Sequence, residues 1–142
     1  MKLLILNGVN LNMLGIREPK IYGTGNYEEL TVYILGYCLK ENIELKMHQT
    51  NSESEYIEYL HKAHDNYNYI IVNPGAWTHY SYAIRDAISS INVPCYEVHL
   101  SDVDNREEFR KTSVIKDVCI DTVKGFGFDS YIEAIKKMEV SR

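Results

Sequence analysis

Short apolar runs alternate with longer amphipathic stretches along the whole chain. Leu3 to Leu6 is a continuous apolar run, the pattern of a strand buried on both faces. Asn26 stands three residues before Glu29 as a capping pair, and Leu30, Ile34 and Tyr37 follow at helical spacing. Ile43, Leu45 and Met47 alternate with polar residues, as an edge strand would. Ser52 and Glu55 repeat the capping pattern before Ile57, Leu60 and Ala63. Tyr69 to Val72 predicts a third strand, stopped by Asn73-Pro74-Gly75, and a helix follows with Ala83, Ile84, Ala87 and Ile88 on one face. Val93 to Val98 predicts a fourth strand, and Asp104 with Glu107 the cap of a short helix ending near Lys111. Val118 to Ile120 predicts a fifth strand, and Tyr131, Ile132, Ile135 and Met138 mark the inner face of a last helix.

Strand and helix in strict alternation predict an α/β protein, a parallel sheet with helices on both faces. At 142 residues, with no repeat, low-complexity tract or linker, the expectation is one domain over residues 1–142. The common solution at this length is a flavodoxin-like three-layer fold with a five-stranded sheet of order 2-1-3-4-5. The alternating second strand suits the edge position in that order.

Sheets of this kind place their sites at the carboxyl ends of the strands. The first strand is followed by Asn7-Gly8-Val9-Asn10-Leu11-Asn12, the third by Asn73-Pro74-Gly75-Ala76-Trp77-Thr78-His79, and the fourth ends in Glu97-Val98-His99-Leu100-Ser101. The three strands are neighbours in the expected order, so three polar clusters should meet in one crevice. The stretch 13–25 is long for a strand-to-helix connection, where about two to six residues are usual. With Gly15, Gly23 and Gly25 as hinges and Arg17, Glu18 and Tyr22 between them, it is a candidate lid. An ordinary surface loop is the plain alternative.

Composition narrows the class. Hydrophobic residues make up 45% and charged residues 25%, which supports a packed core and excludes disorder. The net charge of −5 counts against a nucleic-acid binder, so any anion site must be a local cluster of positive groups. Cys38, Cys95 and Cys119 lie in apolar runs without metal or redox spacing, and predict three buried thiols in a reducing compartment. The opening apolar run, four residues ending in Asn-Gly, is too short for a signal peptide or a membrane span, so a soluble cytoplasmic protein is expected.

Each candidate has an ordinary alternative. Tyr22 is one of 12 tyrosines, most of which pack a ring and turn the hydroxyl to water. His99 ends an apolar strand and could be a satisfied core histidine. Glu97, two residues earlier, shares its strand face, where a carboxylate can orient and charge the imidazole. Arg17, Arg106 and Arg110 could be solvated, although the last two are four apart and share a helix face. His48, His61 and His64 sit in polar contexts and are read as surface residues. There is no phosphate-binding or dinucleotide glycine motif and no nucleophile elbow. The rival readings are a flavin- or phosphate-binding module on the same fold, a metal-dependent hydrolase using His79, Glu97 and His99, and a tyrosine-rich interaction protein. The first predicts a Ser/Thr-rich loop after the first strand, and this loop is Asn-rich.

The motifs together resemble the type II 3-dehydroquinate dehydratases from end to end. The matching segments are LILNGVNLNMLG (4–15), Arg17-Glu18-Pro19 with Tyr22-Gly23, NPGAWTHYS (73–81), Glu97-Val98-His99-Leu100-Ser101 and REEFR (106–110). The resemblance implies a flavodoxin-like fold and dehydration of 3-dehydroquinate to 3-dehydroshikimate, with no metal or organic cofactor. That step is shared by the shikimate pathway of aromatic amino-acid biosynthesis and by quinate breakdown. It also implies a homododecamer built from trimers. By the same resemblance Tyr22 is the base, Arg17 the transition-state stabiliser and His99 the general acid, while Asn12 positions water or the enolate. Asn73, His79, Leu100, Ser101 and Arg110 bind substrate, and Asp86 reaches across from a neighbouring subunit. The chain departs from the family at Val9, where proline is usual, and at Asp102, where asparagine is usual. Val9 frees a backbone angle that proline fixes, and Asp102 adds a negative charge beside the expected carboxylate site.

The implied chemistry suits these residue types. Removing a proton beside a ketone makes an enolate, and the hydroxyl on the next carbon needs an acid to leave as water. A free phenol titrates at about 10, and a nearby guanidinium favours the phenolate. Arg17 on the same lid is the plausible source, which makes lid closure part of catalysis. His99 changes charge near neutral pH, as an acid must, and such assistance is typically worth about 10²–10⁴-fold. Leu100 and Ser101, ahead of a predicted short helix, could offer N–H groups to a carboxylate. No lysine falls in the three clusters, which argues against an imine.

Overall fold

The computed structural model describes residues 1–16, 25–102 and 106–141. Strands β1 (Lys2–Asn7), β2 (Glu44–Gln49), β3 (Tyr69–Asn73), β4 (Cys95–His99) and β5 (Asp121–Lys124) form one parallel sheet ordered β2-β1-β3-β4-β5. Helices α1 (Tyr27–Lys40), α2 (Glu53–Ala63), α3 (Tyr82–Ser90) and α4 (Asp129–Val140) cover it. The expected flavodoxin-like architecture is the one observed.

Side-chain alternation divides the core into two layers. Leu3 and Ile5 of β1 pack with Leu30, Ile34 and Cys38 of α1 and Tyr131, Ile135 and Met138 of α4. Leu4 and Leu6 point the other way, onto Tyr56 and Leu60 of α2 and Ile84 and Ile88 of α3. α1 opens with a full capping box: Asn26 accepts from the Glu29 N–H, and the Glu29 side chain accepts from the Asn26 N–H. At α2 the Ser52 side chain accepts from the Glu55 N–H.

The expectation for the fifth strand is corrected. Lys116–Val118 is a 3-10 turn, and the strand follows at Asp121–Lys124. The apolar run Val118-Cys119 is used to pack beneath the sheet on the α2–α3 side. β5, an edge strand, buries only Val123 fully, so the true strand carries the weaker hydrophobic signal. The short helix is a 3-10 turn, Glu108–Lys111, with no side-chain cap from Glu107; Asp104 lies outside the described residues. Ala83 is exposed, and Cys119 is only partly buried. Among the described residues no helix is long and apolar enough to cross a membrane.

The carboxyl ends of β1 and β3 are tied together through α4. The buried Tyr131 hydroxyl donates to Asn7 Oδ1 at 2.5 Å and accepts from Asn73 Nδ2 at 2.9 Å. Asn7 Nδ2 is 3.3 Å from the Tyr27 hydroxyl on α1. Two strand-end amides, which would otherwise be stranded in the core, are thus satisfied by one phenol. Tyr131→Phe removes that group while keeping the ring, and should lower unfolding stability by about 1–3 kcal/mol. A urea midpoint within error of the parent would show that the network is dispensable.

Candidate active site

The loops after β1 and β3 interlock before they form a site. Gly8 N–H donates to Asn73 O at 2.8 Å, and a Cβ on Gly8 would lie 2.4 Å from Pro74 O. Gly75 has φ +65°, and a Cβ there would meet Val9 O at 2.6 Å. Glycine is therefore required at both positions by close backbone approach, and at Gly75 by conformation as well. With the end of β4, these loops form a cleft of about 530 Å³, measured out to its open mouth.

Asn73, His79, His99, Leu100, Ser101, Arg106 and Arg110 all line that cleft, so residues from three distant segments converge as expected. Asn10, Leu11, Leu14, Gly75 and Ala76 complete the wall. The Asn7 and Asn73 amides reflect the strand-end network, and Asn73 Oδ1 also accepts from the Gly75 N–H at 3.3 Å. Arg110 pairs with Glu107 and lies over the Phe109 ring, 4.7 Å from its centroid. Asn12 is exposed outside the cleft lining, with its side chain 3.5 Å from Gln49 Nε2. Asp86 is exposed on α3 and does not line the cleft of its own chain. Arg17 and Tyr22, with most of the candidate lid over 13–25, lie outside the described residues. Among the described residues, the regular element that follows Leu100 and Ser101 is the 3-10 turn Glu108–Lys111, and residues 103–105 lie outside them.

The electrostatic centre is the pair Glu97–His99. Both side chains are buried, and His99 Nε2 lies 2.6 Å from Glu97 Oε2. The imidazole therefore gives its Nε2–H to the carboxylate, and Nδ1 has no hydrogen-bond partner among the described residues. Burial pushes the Glu97 carboxyl upward. Hydrogen bonds from His99, Thr78 and Ser113, with the His99 charge, outweigh burial and hold it below the ordinary range. His79 is pushed down, first by burial and then by the charges of His99 and Arg110, against a hydrogen bond to Thr112 O at 2.7 Å. Among the described residues no three His, Cys, Asp or Glu side chains form a metal-binding group. Thr78, Ser113 and Thr122 surround Glu97; the sequence places Thr78 in a loop cluster without a role and gives no sign of the other two, because hydroxyls so far apart in the chain carry no local signal.

The fold and cleft define an α/β protein of the flavodoxin-like class with its site at the carboxyl edge of the sheet. Residues 1–139 match the Dehydroquinase class II family. The chain is 50% identical to the 3-dehydroquinate dehydratase of Clostridium beijerinckii, over 100% of this chain and 98% of that one. It is 48% identical to the enzyme of the same name from Clostridium acetobutylicum, over 98% and 96%. The crystal structure of a type II dehydroquinase from Butyrivibrio crossotus superposes with a TM-score of 0.96 at 48% identity, over 98% of this chain and 97% of that one. The chain belongs to the class II dehydroquinase family.

The depressed Glu97 carboxyl has a consequence for acid stability. Its contribution is fully present above the unfolded value, about 4.3, and is lost as pH falls through the lower folded value. Urea midpoints should therefore fall below about pH 4.3, and Glu97→Gln should flatten part of that fall. An unchanged slope in the variant would show that Glu97 carries none of the acid sensitivity.

Proposed function

We propose that this chain is a 3-dehydroquinate dehydratase that eliminates water through an enolate, with Tyr22 as base and His99 as acid. The observation that carries the reading is the His99–Glu97 pair in a cleft lined by Asn73, His79, Arg106 and Arg110, in a chain that matches the family over residues 1–139. Tyr22, as phenolate favoured by Arg17, takes the proton from the carbon beside the ketone, and the C–H electron pair forms the enolate. The enolate collapses and the C–O bond on the neighbouring carbon breaks. His99 Nδ1–H protonates the departing hydroxyl, which leaves as water. Tyr22 ends as phenol and His99 as neutral imidazole, and exchange with solvent resets both.

Nδ1 is the donor because Nε2–H is committed to Glu97. Asn73, His79, Leu100, Ser101 and Arg110 bind the substrate, with Arg106 supporting the carboxylate end and Asn12 positioning water or the enolate. Local arginines thus hold an anion within a protein of net charge −5. The exposed position of Asp86 on α3 is compatible with its reaching a neighbouring subunit's cleft, in a dodecamer assembled from trimers. No resident metal or organic cofactor takes part.

Mixing the purified protein with 3-dehydroquinate should give the ultraviolet absorbance of the conjugated enone, with or without a chelator. No product from a folded sample would refute the activity, and loss of activity with the chelator would refute the metal-free mechanism. Tyr22→Phe and His99→Ala should each cut kcat by about 10²-fold or more while substrate still binds. Near-parental kcat in either would remove that residue from its role. Sedimentation at micromolar concentration should give a species near twelve chains, the number the family resemblance implies; a monomer would leave Asp86 without a function.

A further inference from the structure

Glu97 has no exposed surface, and the imidazole is only one of its partners. Thr78 Oγ1 donates to Oε2 at 2.6 Å, and Thr122 Oγ1 donates to Oε1 at 3.3 Å. Ser113 Oγ lies 3.0 Å from Oε1 and 2.9 Å from Oε2, so its one hydrogen is shared between them. The three hydroxyls come from the turn after β3, from the strap before the 3-10 turn Lys116–Val118, and from β5. The strap is itself anchored to the other segments. Val114 N–H donates to Thr78 O, and Arg85 Nη1 donates to Val114 O, each at 2.8 Å.

The neighbouring strand positions Cys95, Tyr96 and Val98 are all buried and weakly polar or apolar, so a carboxylate here is costly. An isolated buried carboxylate takes up a proton, or survives by pairing. Hydroxyl donors stabilise the anion without adding positive charge, which leaves the full charge of Glu97 for the imidazolium. The acid step makes this necessary. Once His99 Nδ1 has given up its proton the ring is neutral, and Glu97 has lost its cation. With the imidazole as its only donor, the carboxylate would be poorly stabilised in that state and prone to protonation. Three further donors keep it anionic and fixed, so Nε2–H stays in place and Nδ1 is left to take up the next proton.

We infer that Thr78, Ser113 and Thr122 are positioning residues for the acid step, holding Glu97 as a fixed anion while His99 is neutral. The inference rests on His99 as the acid and deepens that reading. Other titratable groups line the same cavity as Glu97 or interact with its charge. They are His79 from the turn after β3, and Arg110, Lys111, Lys116, Asp117 and Cys119 from the 106–120 segment. Asp121 and Lys124 approach from β5, and Tyr56 approaches from α2.

The test uses Ser113→Ala, the near-isosteric Thr122→Val and their combination, with thermal unfolding as the fold control. Carbon-13 NMR of labelled glutamate carboxyls, with Glu97 assigned by its absence in Glu97→Gln, reads the carboxylate directly. Each single variant should raise the Glu97 transition by about one pH unit. The acid limb of the kcat profile should rise with it, and kcat should fall about tenfold with KM held within about twofold. Ser113→Thr and Thr122→Ser, which keep a hydroxyl, should retain both properties. An unmoved Glu97 transition in the double variant, or equal losses in the hydroxyl-keeping variants, overturns the inference. A moved transition with unchanged kcat also overturns the positioning role. His99→Ala then separates the two readings: if it too leaves kcat intact, the assignment of His99 as acid has failed as well.

Discussion

A carboxylate sits in the middle of a parallel sheet, and it must be paired from all sides. Glu97 occupies a strand position without exposed surface, and four side chains from its own strand, a turn, a strap and the next strand close on it. The cost of leaving a buried charge unpaired, several kcal/mol or more, makes each of those segments conditional on the others. The strap at 112–114 lies against the turn at 75–79 through Val114 and Thr78, and through His79 and Thr112. The residues that line the cleft are fixed by the same contacts that satisfy the charge beneath it.

The opposite half of the site follows the same logic with neutral groups. Asn7 and Asn73 end adjacent strands where backbone hydrogen bonding stops, and the Tyr131 phenol from the last helix satisfies both. Gly8 and Gly75 then let the two loops touch at backbone distance. A cleft wall is thereby built with few long side chains, and His99, Arg106 and Arg110 line the same cleft.

Individual residues show why part of this was legible beforehand. The runs Leu3–Leu6 and Tyr69–Val72 announce buried strands because every position in them is apolar. Asn26 with Glu29 announces a helix start because capping is satisfied within four residues. Glu97 and His99 are legible as a pair because strand periodicity puts them on one face. The fifth strand is misplaced because Val118 and Cys119 look more strand-like than Asp121 to Lys124, whose pairing with β4 is decided by the register of the sheet. Asn12 belongs to the motif, yet its side chain lies outside the cleft lining beside Gln49, a contact between residues far apart in the chain.

Four of the five strands, the four long helices and the polar clusters after β1, β3 and β4 were readable along the chain. Each of these rests on local periodicity, capping or turn residues, whose physics is complete within about a dozen positions. Which groups satisfy the buried polar atoms is settled by tertiary packing. Thr78, Ser113 and Thr122 around Glu97, and Tyr131 between Asn7 and Asn73, are separated by 16 to 124 residues from their partners. A hydroxyl has the same local appearance on a surface as beneath an active site. Its role is fixed by desolvation and hydrogen-bond geometry, which exist only after the chain has packed.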